Sequence, residues 1–491
     1  MDENDIQRTL DAFEHDPKAA MNRIPEKRDA ATTRGTPAPN PFAPSDIANG
    51  DYILARDTVR GKFAKMVDGV IVTFEDVIPG RAGIEAKDHA KDLVDTLKYQ
   101  KPSEMDAAKL TTAALDVTPW SDDYWPVYLG VLGRRYADPA FPASEDWKEN
   151  FEYVGAHPIA EIVASGDNKA IDLLSPSEKY DLLIGDASFG LTSAMWSQGK
   201  YYYDDKGKVE TWMGICHGWA PASYMLPRPS RAVTVVAADG KTKLRFYPSD
   251  IKALASLLWA NARTVSKFIG TRSNDKEPKT DEVGRVISAQ VFDTNPGTWH
   301  LSVVNQIGVS KRSFIIDATY DYEVWNQPFY AYEYRYFNPQ TLKFASDLRA
   351  ATVLRGDFAK DRFAKYRSPN GVAFAGVAMR VGYVVETEPT HNESDTPEND
   401  ALKTVDYYYD LELDTSEKIV GGEWYLNSHP DFLWTPAKKA RAVTPADASA
   451  RGRWTLTSRL PASWRRAAVQ VSANGLPLAK IVERLIKAAN G

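Results

Sequence analysis

After a short helical pattern at the N-terminus, the chain loses its apolar period. Pro25 to Asp46 (PEKRDAATTRGTPAPNPFAPSD) is rich in Pro, Ala and charge, which reads as a linker or surface arm. From Ile84 to Leu115 apolar residues return at the spacing of one helical face: Ala90, Leu93, Val94 and Leu97, then Ala107, Leu110, Ala113, Ala114 and Leu115. Two packing helices are predicted there. An aromatic loop follows (TPWSDDYWPVYLG), in which Trp120, Tyr124 and Trp125 read as a core-edge cluster, and then mixed helix and short strand from Pro158 to Gly190. AVTVVAADGKTKLRFY alternates strand residues around Asp239-Gly240, a two-residue hairpin signature. Ser249, ahead of Ile251, Leu254, Leu257 and Leu258, predicts an N-cap and a helix.

Beyond that helix the chain to about Tyr425 is rich in β-branched and aromatic residues, which predicts a mostly antiparallel sheet. WHLSVVNQI and SFIIDAT read as strands joined by a turn at GVSK, and a later hairpin joins VAFAGVAMRVGYVV to VDYYYDLEL. The polar loop between the latter two, THNESDTPEND, lacks the ordered carboxylate spacing of an EF-hand and reads as solvated. The organisation expected is an arm and linker over residues 1–50, a catalytic region over 51–435 and a C-terminal tail over 436–491. Within the catalytic region, 51–190 is mainly helical and 191–435 carries the sheet.

Composition narrows the function classes. No run approaches the roughly 18 apolar residues of a membrane span, and MDENDIQRTLDAFEHDP is too polar for a signal peptide. A cytoplasmic location as synthesised is expected, with export by a signal-independent route as a hypothesis. The single cysteine forbids an intramolecular disulfide. The net charge of −6 hides an asymmetry, because the tail from Lys438 carries +9 and the remainder −15. Such a tail is expected to be solvated or to dock on its own acidic body, and no nucleic-acid partner is expected.

The chemistry centres on that lone cysteine. Cys216 lies in WMGICHGWAPASYMLPRP, where Gly214 and Gly218 allow close backbone approach and a short helix can follow, with Pro221 as an alternative start. At a helix N-terminus the unpaired N–H groups favour a thiolate and can hold an oxyanion. A lone cysteine is often only a small core residue. Its significance rises with the stretch GTWHLSVVNQIGVSKRSFIIDATYDYEVWNQP: an even-length turn sets His300 opposite Thr319, with Asp317 on the same face, whereas an odd-length turn separates them. An imidazole fixed by a carboxylate is what a cysteine nucleophile requires. A satisfied sheet histidine and a strand-end aspartate are the structural alternative. His217 points away from its neighbour, and His15, His89, His157, His391 and His429 are left unassigned.

The order Cys216, His300, Asp317 resembles the papain-like transglutaminase core, and EVWNQP (Glu323 to Pro328) resembles the peptide signature of the transglutaminase elicitor family. WMGICHGWAP and GGEWYLNSHPDFLW resemble further family segments. The resemblance runs from about Ile53 to Trp434 and implies an α+β, papain-like fold. In it the nucleophile Cys216 starts a helix, and the base His300 and acid Asp317 lie on an antiparallel sheet. It implies a cysteine-dependent acyltransferase that joins a glutamine-type carboxamide to a primary amine on protein or peptide substrates. No metal is assigned and no cofactor is required; calcium (Ca2+) enters only through the family, with no ligand set visible. Gln198 is a candidate oxyanion donor, and Trp196, Trp212, Trp219 and Trp299 are candidates to exclude water. Asn326 and Gln327 are expected to orient the hairpin. After VWNQP the chain reads FYAYEYRYF, unlike the basic stretch of the oomycete elicitor peptide, so receptor recognition is not carried over. The rivals are hydrolysis by a cysteine protease or amidase with the same triad, and a non-catalytic recognition module.

Overall fold

A computed structural model of the protein describes residues 1–30, 88–271, 278–287, 294–318 and 324–491. It is a mixed structure of helices and antiparallel sheet. In chain order, the helices that matter are α1 (Glu3–His15), α2 (Pro176–Ile184), α3 (Gly190–Lys206), α4 (Cys216–Met225), α5 (Pro248–Asn261), α6 (Pro296–Val303), α7 (Ala462–Ser472) and α8 (Ala479–Ala489). The strands are β1 (Arg28–Asp29), β2 (Val233–Val236), β3 (Lys243–Phe246), β4 (Ser266–Gly270), β5 (Ile315–Asp317), β6 (Asn326–Asn338), β7 (Ala373–Val385), β8 (Ala401–Leu413), β9 (Ile419–Trp424) and β10 (Phe432–Pro436).

The main sheet runs β1-β8-β7-β6-β5-β10-β4 in space, with β9 beside β8. Its centre is the long β6–β7–β8 meander. Val377 faces Tyr336 on one side and Tyr409 on the other, and the β7–β8 hairpin is the one the sequence predicts. Because side chains alternate across a strand, this sheet serves two cores. Ile315, Phe432 and Trp434 point into a core shared with α2 to α5, α7 and α8. Ile316 and Leu433 point into the other, with Trp299 and with Ile6, Leu10 and Phe13 of α1.

The Asp239-Gly240 hairpin forms as expected, β2 against β3, with Gly240 at φ +76°. α5 also forms, but Ser249 is not its cap: Tyr247 precedes the helix and Asp250 returns to the Tyr247 N–H at 2.8 Å. Ser249 instead accepts from the Thr390 N–H at 2.9 Å, pinning the 386–400 loop. Where two helices are predicted over 84–115, only a turn at Ala90–Asp92 and a short helix at Pro102–Ala107 appear among the described residues. Thr112–Ala114 pairs with β6 instead. The small residues there give helical period without enough apolar area to hold a helix against sheet pairing.

The tail is structural. Leu478, Ile481, Val482, Leu485 and Ile486 are buried in the α5 core, so α8 is an integral layer whose basic residues occupy its outer face. Arg441 pairs with Glu483 at 2.5 Å.

A buried charge network closes the far end of the meander. Arg367 bonds both oxygens of Asp410 at 2.5 and 2.6 Å, and Arg285 bonds both oxygens of Glu423 at 2.7 and 2.9 Å. Burial pushes the Glu412 carboxyl beside Arg367 up to about 8, so it is protonated at neutral pH.

Candidate active site

Cys216 is the first residue of α4, as the sequence predicts, and Pro221 lies inside the helix. Two glycines make this placement possible. A Cβ on Gly214 would stand 2.4 Å from the Tyr124 carbonyl oxygen, and one on Gly218 would stand 2.2 Å from that of Ser256 on α5. The Ile215 N–H donates to the Tyr124 carbonyl at 2.7 Å, so the aromatic loop fixes the turn into α4. Gly218→Ala is expected to push α4 off α5 and to lower unfolding free energy by about 1–3 kcal/mol, read by chemical denaturation. Wild-type stability in that variant would refute the close approach.

The sulfur faces the VWNQP segment. Cys216 Sγ lies 3.7 Å from the Val324 carbonyl oxygen and 3.5 Å from Asn326 Nδ2. The indole N–H of Trp434 donates to Asn326 Oδ1 at 2.8 Å, so the amide's oxygen is occupied and its NH2 turns toward sulfur. β5 and β6 set Asp317 directly opposite Asn326, and the Asp317 carboxylate accepts the Trp325 N–H at 3.1 Å. Directly opposed residues of an antiparallel pair share a face, so Asp317 is presented to the same side as Cys216. Gln327 bonds both oxygens of Glu386 at 2.8 and 2.9 Å, which tethers a second carboxyl to VWNQP. Cys216, Asp317, Asn326 and Glu386 thus form one group around a thiol that is only 6% exposed.

Electrostatics favours the protonated forms of the Cys216 thiol and the Glu386 carboxyl. Burial pushes the Cys216 thiol up to about 11; the Asn326 side-chain and main-chain N–H groups oppose the rise, and Glu386 and Asp317 add to it. Burial likewise raises the Glu386 carboxyl to about 7 and that of Asp123 to about 7, although Arg134 bonds Asp123 at 2.7 Å and Glu388 at 2.7 Å. A carboxyl raised on folding stabilises the fold fully below its unfolded value of 4.5, and that contribution is lost as pH rises through about 7. Glu386→Gln should therefore flatten the fall in stability between those two values. The change is on the order of 3 kcal/mol, measured from denaturation midpoints across pH. An unchanged pH slope would remove Glu386 as its source.

His300 is not where the expected hairpin puts it. WHLSVV is helical, forming α6, and VNQIGV continues as a π-helical turn, so the partner of β5 is VWNQP itself. His300 is fully buried in the opposite core, its Nδ1 2.9 Å from the Tyr409 hydroxyl and its ring edge-on to Tyr334. Burial alone depresses its pKa to about 3, so it stays neutral. Among the described residues no hydrogen bond links it to Cys216 or Asp317. Asn295 caps α6 and Pro296 opens it, and those signals, with Gly297 packed over the Gly421 carbonyl, outweigh the β-branched residues that suggest a strand.

The remaining candidates belong to the packing. Trp196 fills the space over Gly130 and Gly133 and meets Trp147 edge-on; Gln198, two residues on in α3, stays with that helical layer. Trp219 donates to the Trp120 carbonyl at 3.0 Å, and Trp299 stands edge-on to Phe329 and Tyr407 in the His300 core. None of the four makes a hydrogen bond to Cys216 among the described residues. Asn326 and Glu386 are the site members that sequence reasoning did not place there. The short span between SFIID and VWNQP was the signal for a nearest-neighbour hairpin that would have found Asn326.

No group of three or more His, Cys, Asp or Glu side chains is gathered to hold a metal among the described residues. Of the carboxyls beside Cys216, Glu386 is engaged with Gln327 and Asp317 with the Trp325 N–H, a donor set too small to fit calcium.

The fold and site define a mixed helix and antiparallel-sheet protein with a shielded cysteine at a helix start, facing a strand that carries its polar neighbours. The chain belongs to the transglutaminase elicitor family, whose profile matches residues 92–449. Among solved structures it is similar to the crystal structure of the GP42 transglutaminase from Phytophthora sojae, at 20% identity and a TM-score of 0.48, covering 77% of this chain and 94% of that one. No curated protein matches the chain.

Proposed function

We propose that the protein is a cysteine-dependent acyltransferase of the transglutaminase type, held in this structure in a closed, resting form. The observation that carries this reading is Cys216 at the start of α4, with the oriented Asn326 amide 3.5 Å from its sulfur. In the forward step Sγ attacks a glutamine-type carboxamide and forms a C–S bond. The Asn326 NH2, with the Cys216 N–H at the start of α4, would hold the developing oxyanion. The thiol proton passes to a flanking carboxylate, Glu386 or Asp317, and leaves on ammonia as the C–N bond breaks. A primary amine then attacks the thioester carbon, gives up its proton to the same carboxyl group and releases Cys216 as the thiol. A carboxyl raised to about 7 is suited to both transfers. His300, the base that the family resemblance implies, has no part in this scheme.

A second reading is favoured by one observation. A thiol raised to about 11, with no imidazole bonded to it among the described residues, also suits a recognition module in which VWNQP is an epitope and Cys216 a core residue. The deciding experiment is incorporation of a fluorescent primary amine into a glutamine-rich protein, with ammonia release followed in parallel, with and without calcium. Incorporation that depends on Cys216 supports the transferase. Ammonia without incorporation makes the protein an amidase, and neither product, in the presence of a folded protein, leaves the recognition module.

A further inference from the structure

The N-terminal segment is anchored on the molecule at several points. α1 buries Ile6, Leu10 and Phe13 against the sheet, and the Met1 ammonium pairs with Glu333 at 2.5 Å. Pro25 is buried, and β1 adds to the edge of β8, with Arg28 opposite Thr404 and Asp29 opposite Lys403. Between these anchors Lys27 is directed to the candidate site. Its Nζ donates to the Ala318 carbonyl oxygen at 2.5 Å, one residue beyond Asp317. The Ala318 N–H in turn donates to the Trp325 carbonyl at 3.0 Å, so this carbonyl belongs to the β5–VWNQP frame that also carries Asn326. Glu386 feels the Lys27 charge and acts on Cys216 as well, so the ammonium and the sulfur both lie within electrostatic reach of one carboxyl.

We propose that the Ala318 carbonyl and the Glu386 and Asp317 carboxyls form the subsite for the acceptor amine, and that Lys27 occupies it as a built-in pseudo-substrate. The proposal rests on the transferase reading of the same site and names the groups that would receive its acceptor amine. The chemistry is that of ammonium recognition. A carbonyl oxygen and acidic groups attract a point charge on a flexible stem, and the Lys27 stem stays exposed, so the amine leaves without unpacking the core. An anchored ligand competes at an effective concentration in the millimolar range. An external amine therefore has to displace Lys27 before it reaches the thioester.

The test uses the full chain and cadaverine as the probe. Lys27→Met should bind cadaverine about tenfold more tightly than the wild type by calorimetric titration. Lys27→Arg, which keeps a cation, should behave as the wild type. In the incorporation assay Lys27→Met should show a similarly lower KM for the amine. Equal cadaverine affinity in wild type and Lys27→Met, with unfolding midpoints matched, overturns the subsite. The two readings fail separately. Tighter cadaverine binding without incorporation in any variant keeps the amine site and removes the transferase, whereas incorporation with unchanged affinity and KM does the reverse.

Discussion

Cys216→Ala is expected to leave the protein folded and to abolish amine incorporation, a loss of about 10^4-fold or more. The argument is chemical first. Removing sulfur removes the atom on which the thioester forms, and no other described nucleophile faces Asn326. The structural cost is small by comparison: a short side chain is shortened by one atom in a core already lined by Trp219, Trp325 and Trp434, worth about 1 kcal/mol. Thermal midpoint and incorporation should therefore separate cleanly. Incorporation that survives in Cys216→Ala would sink the assignment. Alkylation supplies a second readout. With the thiol raised to about 11, iodoacetamide should react slowly at neutral pH, and its rate should climb as pH rises toward that value, later than for an ordinary thiol at 9.

The largest expected effect on stability lies far from the cysteine. Arg367→Met should destabilise the fold by about 3–5 kcal/mol, because it strips a buried cation from the Asp410 carboxylate that remains behind. Asp410 and Glu412 are both fully buried on β8, and Asp410 loses two bonds of 2.5 and 2.6 Å while keeping only the Tyr425 hydroxyl at 3.1 Å and the Glu423 N–H at 3.1 Å. Arg367 also lies over the Phe374 ring at 4.5 Å, so packing is lost with the charge. Denaturant unfolding at neutral pH measures the cost. A loss below about 1 kcal/mol would mean that the network is wetter or more adaptable than its burial implies.

How much of this could be read from the chain differs between its parts. The Asp239-Gly240 hairpin and the β7–β8 pair carry their own signals: a turn dipeptide with positive φ, and long alternating runs that bury one face. α4 was legible from Gly214, Cys216 and Gly218, because close backbone approach demands glycine wherever it happens. The stretch around His300 is ambiguous in sequence for a definite reason. Leu301, Val303, Val304 and Ile307 are buried all round, so their spacing carries no period that tells a helix from a strand. The cap at Asn295-Pro296 was the discriminating local signal, and it lies ahead of the apolar run.

Pairing β5 with the histidine segment would set His300 beside Asp317, whereas the sheet pairs Asp317 with Asn326. A shift of partner changes every neighbour at once, because strand pairing fixes positions along a whole edge. Trp219 and Trp299 were likewise assigned to a groove by nearness in sequence, whereas both are enclosed by other layers.

Sequence alone determined the family, the nucleophile's candidate and the local devices that place it: glycines flanking the cysteine, the VWNQP strand and the hairpin turns. These depend on conformations and contacts within a few residues. Only the tertiary structure decided which groups surround the sulfur, that His300 belongs to the opposite core, and that Lys27 reaches Ala318 from the other end of the domain. Those outcomes rest on which strands pair and on how far a thiol and carboxyls are removed from water, and both are set by elements hundreds of residues apart.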